Sequence, residues 1–240
     1  MNGAPILAVQ GLSAWYGAAQ ILYDLDLDVG RGEVVALMGR NGAGKSTTLK
    51  SIMGLVGRRR GTVRFGGRDI SALEPYRIAR LGLGFTPEDR RIFSDLTVME
   101  NLDVGRQPPR GPARGAAWTP QRLFALFPNL AERRDHLGSQ MSGGEQQMLT
   151  VARTLMGNPL AVLLDEPSEG VAPLIVEQMA NTILELKQQG LSILLSEQNI
   201  HFAALVSDRV YVLEKGHICW HGRMAALIDD RDLQRAFLTV

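Results

Sequence analysis

One cysteine, Cys219, stands among 240 residues. No disulfide can therefore close within the chain, and the composition fits a reducing cytosol. Neither sign of charge dominates: 26 Lys and Arg against 25 Asp and Glu leave a net charge of +1. That balance gives no broad electrostatic case for nucleic acid or an acidic membrane surface as a partner. No apolar run approaches the ~20 residues needed to span a bilayer. The opening Met1-Asn2-Gly3-Ala4-Pro5 lacks the basic start and long apolar stretch of a signal peptide. These absences predict a soluble protein whose membrane role, if any, comes through partners. What is present is apolar side chain: 45% of the residues are hydrophobic, enough to bury a full core in one or two compact lobes. The single basic run, Arg58-Arg59-Arg60, reads as a solvated turn.

The sharpest feature is Gly39-Arg40-Asn41-Gly42-Ala43-Gly44-Lys45-Ser46-Thr47, which fits the pattern G-x-x-x-x-G-K-[ST]. Glycines let backbone N–H groups converge on a phosphate without Cβ crowding. Lys45 supplies positive charge for β- and γ-phosphates, and the Ser46 hydroxyl is placed to ligate Mg²⁺. The flanks agree. Glu33 to Met38 reads as a short buried strand entering the loop, and Thr47 to Met53 as the helix leaving it, whose N-terminal dipole favours an anion. The chain is expected to bind a nucleoside triphosphate.

Along the rest of the chain, Ile6 to Val9 and Ile21 to Val29 alternate as strands, the second with a period of two. Gly61 to Gly67 reads as a further strand and turn, and Ser71-Ala72-Leu73-Glu74 as a capping box for a helix through Arg80. Residues 105–120 are crowded with Gly, Pro, Arg and Ala and read as a mobile surface loop, after which Thr119-Pro120 opens a helix through Phe127. Between residues 88 and 156 the signals are helical, without a convincing strand. Leu160 to Leu164 is a continuous apolar strand of the doubly buried kind, Pro173 to Gly190 a bounded helix with Val176, Met179, Ile183 and Leu186 on its apolar face, and Ile193 to Leu195 another buried strand. A helix near Phe202 to Leu205 follows, and Glu214-Lys215-Gly216 turns a hairpin between Val210 to Leu213 and Ile218 to Trp220. Strands alternating with helices predict a largely parallel sheet.

Asp165 and Glu166 end the Leu160 to Leu164 strand. Such a pair often marks only a helix cap, but beside a phosphate loop it reads as a metal-holding aspartate and a glutamate that orients the attacking water. Met141-Ser142-Gly143-Gly144-Glu145-Gln146-Gln147 places a hydroxyl and free N–H groups before a helix, a second anion site or an ordinary N-cap. The order of phosphate loop, Ser-Gly-Gly-Glu-Gln-Gln and strand-Asp-Glu-Pro resembles that of the ATP-binding cassette family, the ATPases that power many transporters, over essentially the whole chain. Within it, Pro87-Glu88-Asp89-Arg90-Arg91-Ile92-Phe93, Leu96 to Leu102, Ser142 to Leu149 and Glu197-Gln198-Asn199 are similar to the ATP-binding subunits of branched-chain amino-acid importers.

That resemblance implies an α/β fold: a P-loop NTPase (RecA-like) core with an N-terminal antiparallel β subdomain and an inserted α-helical subdomain. The whole chain would be one nucleotide-binding domain, with residues 1–87 and 157–240 as core and β subdomain and 88–156 as the helical part. It also implies that Tyr16 stacks on adenine, that Gly39 to Thr47 hold the phosphates of ATP, and that Ser46, Asp165 and Glu88 attend Mg²⁺. Glu166 and Gln198 would be catalytic, and Ser142, Gly143 and Gly144 would complete the site of a facing subunit. Glu88 stands where most cassettes have glutamine, Gln198 where they have histidine, and Ala172 where they have aspartate. The implied partners are a second cassette, alike or different, two membrane permeases and, indirectly, a periplasmic binding protein, with the chain cytoplasmic and peripheral on the membrane. No nucleic-acid partner is expected. The alternatives are a urea or short-amide importer, a soluble cassette acting in translation or DNA repair, and a nucleotide-binding regulatory subunit with negligible turnover.

Overall fold

The computed structural model describes residues 3–109 and 117–237; the centre of the expected loop, 110–116, lies outside them. The chain opens with β1 (Leu7–Tyr16) and β2 (Ala19–Val29), continues through β3 (Val34–Met38), α1 (Lys45–Ile52), β4 (Arg58–Phe65) and β5 (Arg68–Asp69), and reaches α2 (Pro75–Leu81) and β6 (Leu83–Thr86). Helices α3 (Val98–Gly105), α4 (Pro120–Leu126), α5 (Pro128–Glu132) and α6 (Gly143–Leu155) follow. The remainder alternates: β7 (Ala161–Asp165), α7 (Pro173–Gln188), β8 (Ser192–Glu197), α8 (Ile200–Val206), β9 (Arg209–Glu214), β10 (His217–Arg223), α9 (Met224–Asp229) and α10 (Arg231–Phe237).

Two sheets form. One is antiparallel, in the order β2-β1-β4-β5; the other runs β10-β9-β3-β8-β7-β6 and is parallel from β9 to β6. The expected α/β class with its antiparallel N-terminal sheet is thus present. The apolar run of β3 has a reason visible in the packing. Val34, Ala36 and Met38 enter a core shared with the helices of one face, while Val35 and Leu37 enter a second core with α1 and the antiparallel sheet. Both faces of the strand are dry, so both must be apolar. The β9–β10 hairpin closes through Lys215 and Gly216, with φ of 47° and 81°, the paired left-handed residues of a type I′ turn.

Three sequence expectations are corrected, and one strand is added. The hydroxyl of Ser71 donates to Asp69 and accepts from the Val63 amide, so no capping box forms there and α2 starts instead at Pro75 behind Glu74. Arg58 to Arg60 are not a turn but the start of β4; Arg58 and Arg60 lie over the Trp15 ring at 4.9 and 5.8 Å, which holds like charges on a strand. The period of two in β2 slips between Leu22 and Leu25, where Asp24 takes a φ of 53° and the register with β1 shifts, a bulge. The strand β6 carried no signal of its own, because it is short and contains Gly84, whose Cβ would meet Thr154 at 2.7 Å.

Between β6 and β7 the described residues hold helices and one isolated bridge, Thr97 to Leu137. The Leu96 to Leu102 motif explains itself there. Thr97 caps α3 with Glu100 in a capping box, Val98 and Leu102 are buried, and the buried Asn101 binds the Phe93 amide and the carbonyls of Phe93, Leu96 and Thr97. Among the described residues no helix is long and apolar enough to cross a membrane.

Candidate functional site

The loop from Gly39 to Thr47 leaves the C-terminal end of β3, in the middle of the parallel sheet, and runs into α1. Gly44 is the N-cap of that helix with a φ of 111°, a conformation that only glycine takes without strain. A Cβ on Gly39 would run into the carbonyl of Leu213. The amides of the first helical turn have no helical acceptor and are left for an anion. Lys45, 4% exposed, is folded back: its Nζ donates to the carbonyls of Gly39 at 2.9 Å and Arg40 at 3.3 Å and pairs with Glu166 Oε1 at 3.0 Å. Ala43 is buried, and Arg40 and Asn41 are exposed at the rim.

A cleft of about 460 Å³ opens over the loop. Tyr16, half exposed at the end of β1, stands on its lining together with Asn41, Gly42, Gly44, Lys45, Ser46, Thr47, Glu88 and Glu166. Glu88 comes from the segment after β6, Glu166 from the turn after β7 and Gln198 from the turn after β8. Four neighbouring parallel strands, β3, β8, β7 and β6, therefore deliver their C-terminal ends to one place, as ligand sites of open α/β sheets require.

The carboxylates there have different surroundings. Asp165 is fully buried; Ser196 Oγ donates to its Oδ1 at 2.7 Å, while Oδ2 completes no hydrogen bond of good geometry. Burial pushes its pKa up, and the hydroxyls of Ser196 and Ser46 offset part of that rise. Glu166 holds a left-handed backbone, φ 47°, fixed by its amide donating to the carbonyl and hydroxyl of Ser196, each at 3.1 Å. Burial acts to raise the Glu166 pKa, but hydrogen bonding from Glu169, the Lys45 charge and Gln198 outweigh it and leave it lowered. Gln198 Nε2 reaches Glu166 Oε2 at 3.4 Å. Glu169, which sequence reasoning missed, lines the same cleft; hydrogen bonding with Glu166 and loss of water push its pKa up to about 7.

An unpartnered buried oxygen on Asp165 beside the Ser46 hydroxyl fits a divalent cation. Among the described residues no group of three or more His, Cys, Asp or Glu side chains could hold a metal alone. Mg²⁺ characteristically takes one or two protein groups plus phosphate oxygens and water, and Ser46 with Asp165 is such a partial set.

Ser142, Gly143 and Gly144 are not brought to this cleft. Ser142 N-caps α6 in a capping box with Glu145; Gly143 packs against the Arg90 guanidinium, and Gly144 against Ile175 of α7. Arg90 entered the sequence reading only as part of the Pro87 to Phe93 motif, with no role of its own. Its backbone is left-handed, φ 62°, and its carbonyl accepts from Thr150 Oγ1 at 2.9 Å. The Glu88 to Phe93 segment carries Phe93, 46% exposed, with Arg153 over its ring at 5.2 Å.

Comparison with known proteins agrees with this geometry. The ABC transporter family model matches residues 22–169, more than half of the chain. The high-affinity branched-chain amino acid transport ATP-binding protein BraG of Pseudomonas aeruginosa is 39% identical over 97% of this chain and 99% of its own. The lipopolysaccharide export system ATP-binding protein LptB of Escherichia coli K12 is 34% identical over 97% of this chain and 96% of its own. A nucleotide-free ATP-binding cassette from an ABC transporter superposes with a TM-score of 0.80 at 28% identity, covering 96% of this chain and 97% of that one. A phosphate loop, a buried acidic pair and a cassette fold in one chain have a single reading: this protein belongs to the ABC transporter family and is one of its ATPases.

Proposed function

We propose that this chain is the ATP-hydrolysing subunit of an importer of branched-chain or other hydrophobic amino acids, acting as a cassette dimer against two membrane permeases. The substrate reading rests on the 39% identity to BraG over nearly the full length of both chains, and on the Glu88 to Phe93 segment, which resembles that importer group. The dimer reading rests on one separation: Ser142 to Gly144 present a helix N-terminus that does not border the chain's own phosphate loop. A second copy, or a different cassette, would bring its own such turn over the cleft. A heterodimer in the cell is the preferred form.

In this reading the loop amides and Lys45 bind the phosphates, and Tyr16 stacks on the base. Ser46, Asp165 and Glu88 would attend Mg²⁺, which supplies charge neutralisation between the phosphates. On phosphate binding, Lys45 Nζ exchanges its bonds to Gly39, Arg40 and Glu166 for phosphate oxygens. Glu166 is then released toward the attacking water, and Gln198 helps to place that water. A glutamine amide donates a hydrogen bond but shuttles no proton, so proton removal falls to Glu166. Closure of the dimer drives the permeases and hydrolysis resets it. The body of the chain remains peripheral, held at the membrane by the permeases through the surface around Phe93.

The test is reconstitution of the chain with the two permease subunits of a branched-chain amino-acid importer. ATP-dependent uptake of leucine, isoleucine and valine into vesicles is expected, together with ATPase stimulation by an amino-acid-loaded binding protein. Stimulation by urea or short amides alone, or by lipopolysaccharide as the LptB relatives would have it, refutes the substrate reading. Turnover independent of every membrane subunit refutes the transport reading.

A further inference from the structure

The turn after β7, which carries Glu166, and the turn after β8, which carries Gln198, are separate loops that must keep one mutual geometry. Their strands pair in register, Asp165 opposite Ser196, but both side chains lie beyond the last paired residues. Glu197 bridges this gap. It is 1% exposed, and no described Lys, Arg or His forms an ion pair with it. Its Oε1 accepts from the Ser168 amide at 3.0 Å, on the Glu166 loop, and its Oε2 accepts from the Asn199 amide at 3.3 Å, on the Gln198 loop. Burial pushes its pKa up, offset in part by the Ser168 hydroxyl and by the Ser168 and Asn199 amides. A buried acid with this desolvation cost and no cation needs a reason. Two backbone donors, one on each loop and each on its own carboxylate oxygen, supply it, because no neutral side chain of this length accepts at both ends.

We propose that Glu197 is a positioning residue for ATP hydrolysis, a carboxylate clamp that fixes the Glu166 and Gln198 loops against each other without touching the nucleotide. The proposal rests on the reading of Glu166 and Gln198 given above. In Glu197→Gln the amide keeps one acceptor and turns an NH₂ toward the other N–H, so one loop is released while shape and packing persist.

The experiment uses the full chain and compares Glu197→Gln, Glu197→Asp, Gln198→Ala, the double variant Glu197→Gln/Gln198→Ala, and Glu166→Gln as reference. It measures melting temperature, kcat and KM for ATP. For Glu197→Gln, kcat is expected to fall about 10- to 100-fold, the range typical of outer-shell partners, with KM and melting temperature near wild type, because the phosphate loop is untouched. Glu197→Asp, which keeps both acceptor oxygens, is expected to recover part of the lost rate. The double variant is expected to be little slower than Gln198→Ala alone. In the wild type the Ser168 and Asn199 amides are expected to exchange with solvent as slowly as those of β8. The clamp is overturned if Glu197→Gln turns over like wild type, or if its loss appears as raised KM and lowered melting temperature. It is also overturned if its effect multiplies in full on Gln198→Ala, or if the two wild-type amides exchange like an open loop, a result that stands even where a variant fails to fold. Wild-type turnover in Glu166→Gln would instead refute the reading of the site itself.

Discussion

Replacing Glu166 by glutamine probes the chemistry with little disturbance of the fold. The Glu166 carboxylate meets Lys45 Nζ at 3.0 Å and Gln198 Nε2 at 3.4 Å. An amide of the same shape still fills this space, and Lys45 keeps its bonds to the carbonyls of Gly39 and Arg40. ATP affinity should therefore hold or rise, since one negative charge leaves the γ-phosphate end of the cleft. What disappears is the base. A positioned general base contributes about 10²- to 10⁴-fold, which at about 1.36 kcal/mol per tenfold is about 2.7 to 5.4 kcal/mol of barrier. The assay is phosphate release under single-turnover conditions, beside binding of a fluorescent ATP analogue. A second readout comes from Glu169, whose pKa is held near 7 chiefly by hydrogen bonding with Glu166. A carboxyl raised in the folded state binds its proton more tightly there than when unfolded. Its contribution to stability is therefore full at pH values below the ordinary carboxylate pKa and is lost as pH rises through about 7. Glu166→Gln should remove that proton uptake along with the turnover. Hydrolysis within threefold of wild type by a folded variant would refute the reasoning.

Mixing a Lys45→Ala chain with a Gly143→Asp chain should restore part of the hydrolysis that each lacks if pairing is homotypic; restoration only on adding a second cassette subunit indicates an obligate heterodimer, and none in either case refutes the composite site. Phe93→Ala should leave basal ATP hydrolysis intact and weaken its stimulation by the permeases, read in reconstituted vesicles; loss of ATP binding in the isolated chain would instead place the segment in the nucleotide site. Gln198→Ala should lower kcat while Gln198→His keeps substantial activity, and only the histidine variant should gain a rate step between about pH 6 and 8; an alanine variant at the wild-type rate makes Gln198 a bystander. Ala172 stands at the N-cap of α7 without a side-chain cap, so Ala172→Asp should stabilise by about 1 kcal/mol, a rise of about 2–4 °C in melting temperature for a chain of this size.

The phosphate loop was legible in the sequence because its chemistry is local: nine consecutive residues carry the turn, the cation and the hydroxyl. The doubly buried strands were legible for a similar reason, since a run such as Ala36-Leu37-Met38 has no polar face to hide. What could not be read depends on partners far along the chain. Asn101 looks like any helical asparagine until its amide is seen holding Phe93 and Leu96. Ser71 offered a capping box, but Asp69 and the Val63 amide took its hydroxyl first. Arg58 to Arg60 looked like a solvated turn because nothing local predicts that Trp15, paired across β1 and β4, will lie under two guanidinium groups. Glu169, two residues beyond the Asp-Glu-Pro run, gave no signal, because its shifted acidity comes from its contact with Glu166. The role of Gln198 came from resemblance rather than from spacing, and its meeting with Glu166 at 3.4 Å is a property of adjacent strands.

The placement of β3 in mid-sheet also bears on how the protein is made. The four strands of the antiparallel sheet lie within residues 7–69 and close among themselves. They can assemble as soon as that stretch leaves the ribosome. The strand that ends in the phosphate loop cannot, because its two neighbours are β8 and β9, at residues 192–197 and 209–214. Long-range parallel pairing is slow and leaves apolar strands uncovered meanwhile. The nucleotide-binding turn is translated early, whereas the strands that flank β3 on both sides arrive only near the end of the chain. A ribosome stalled before residue 209 would present the strands of the antiparallel sheet and an apolar β3 edge unpaired on the β9 side.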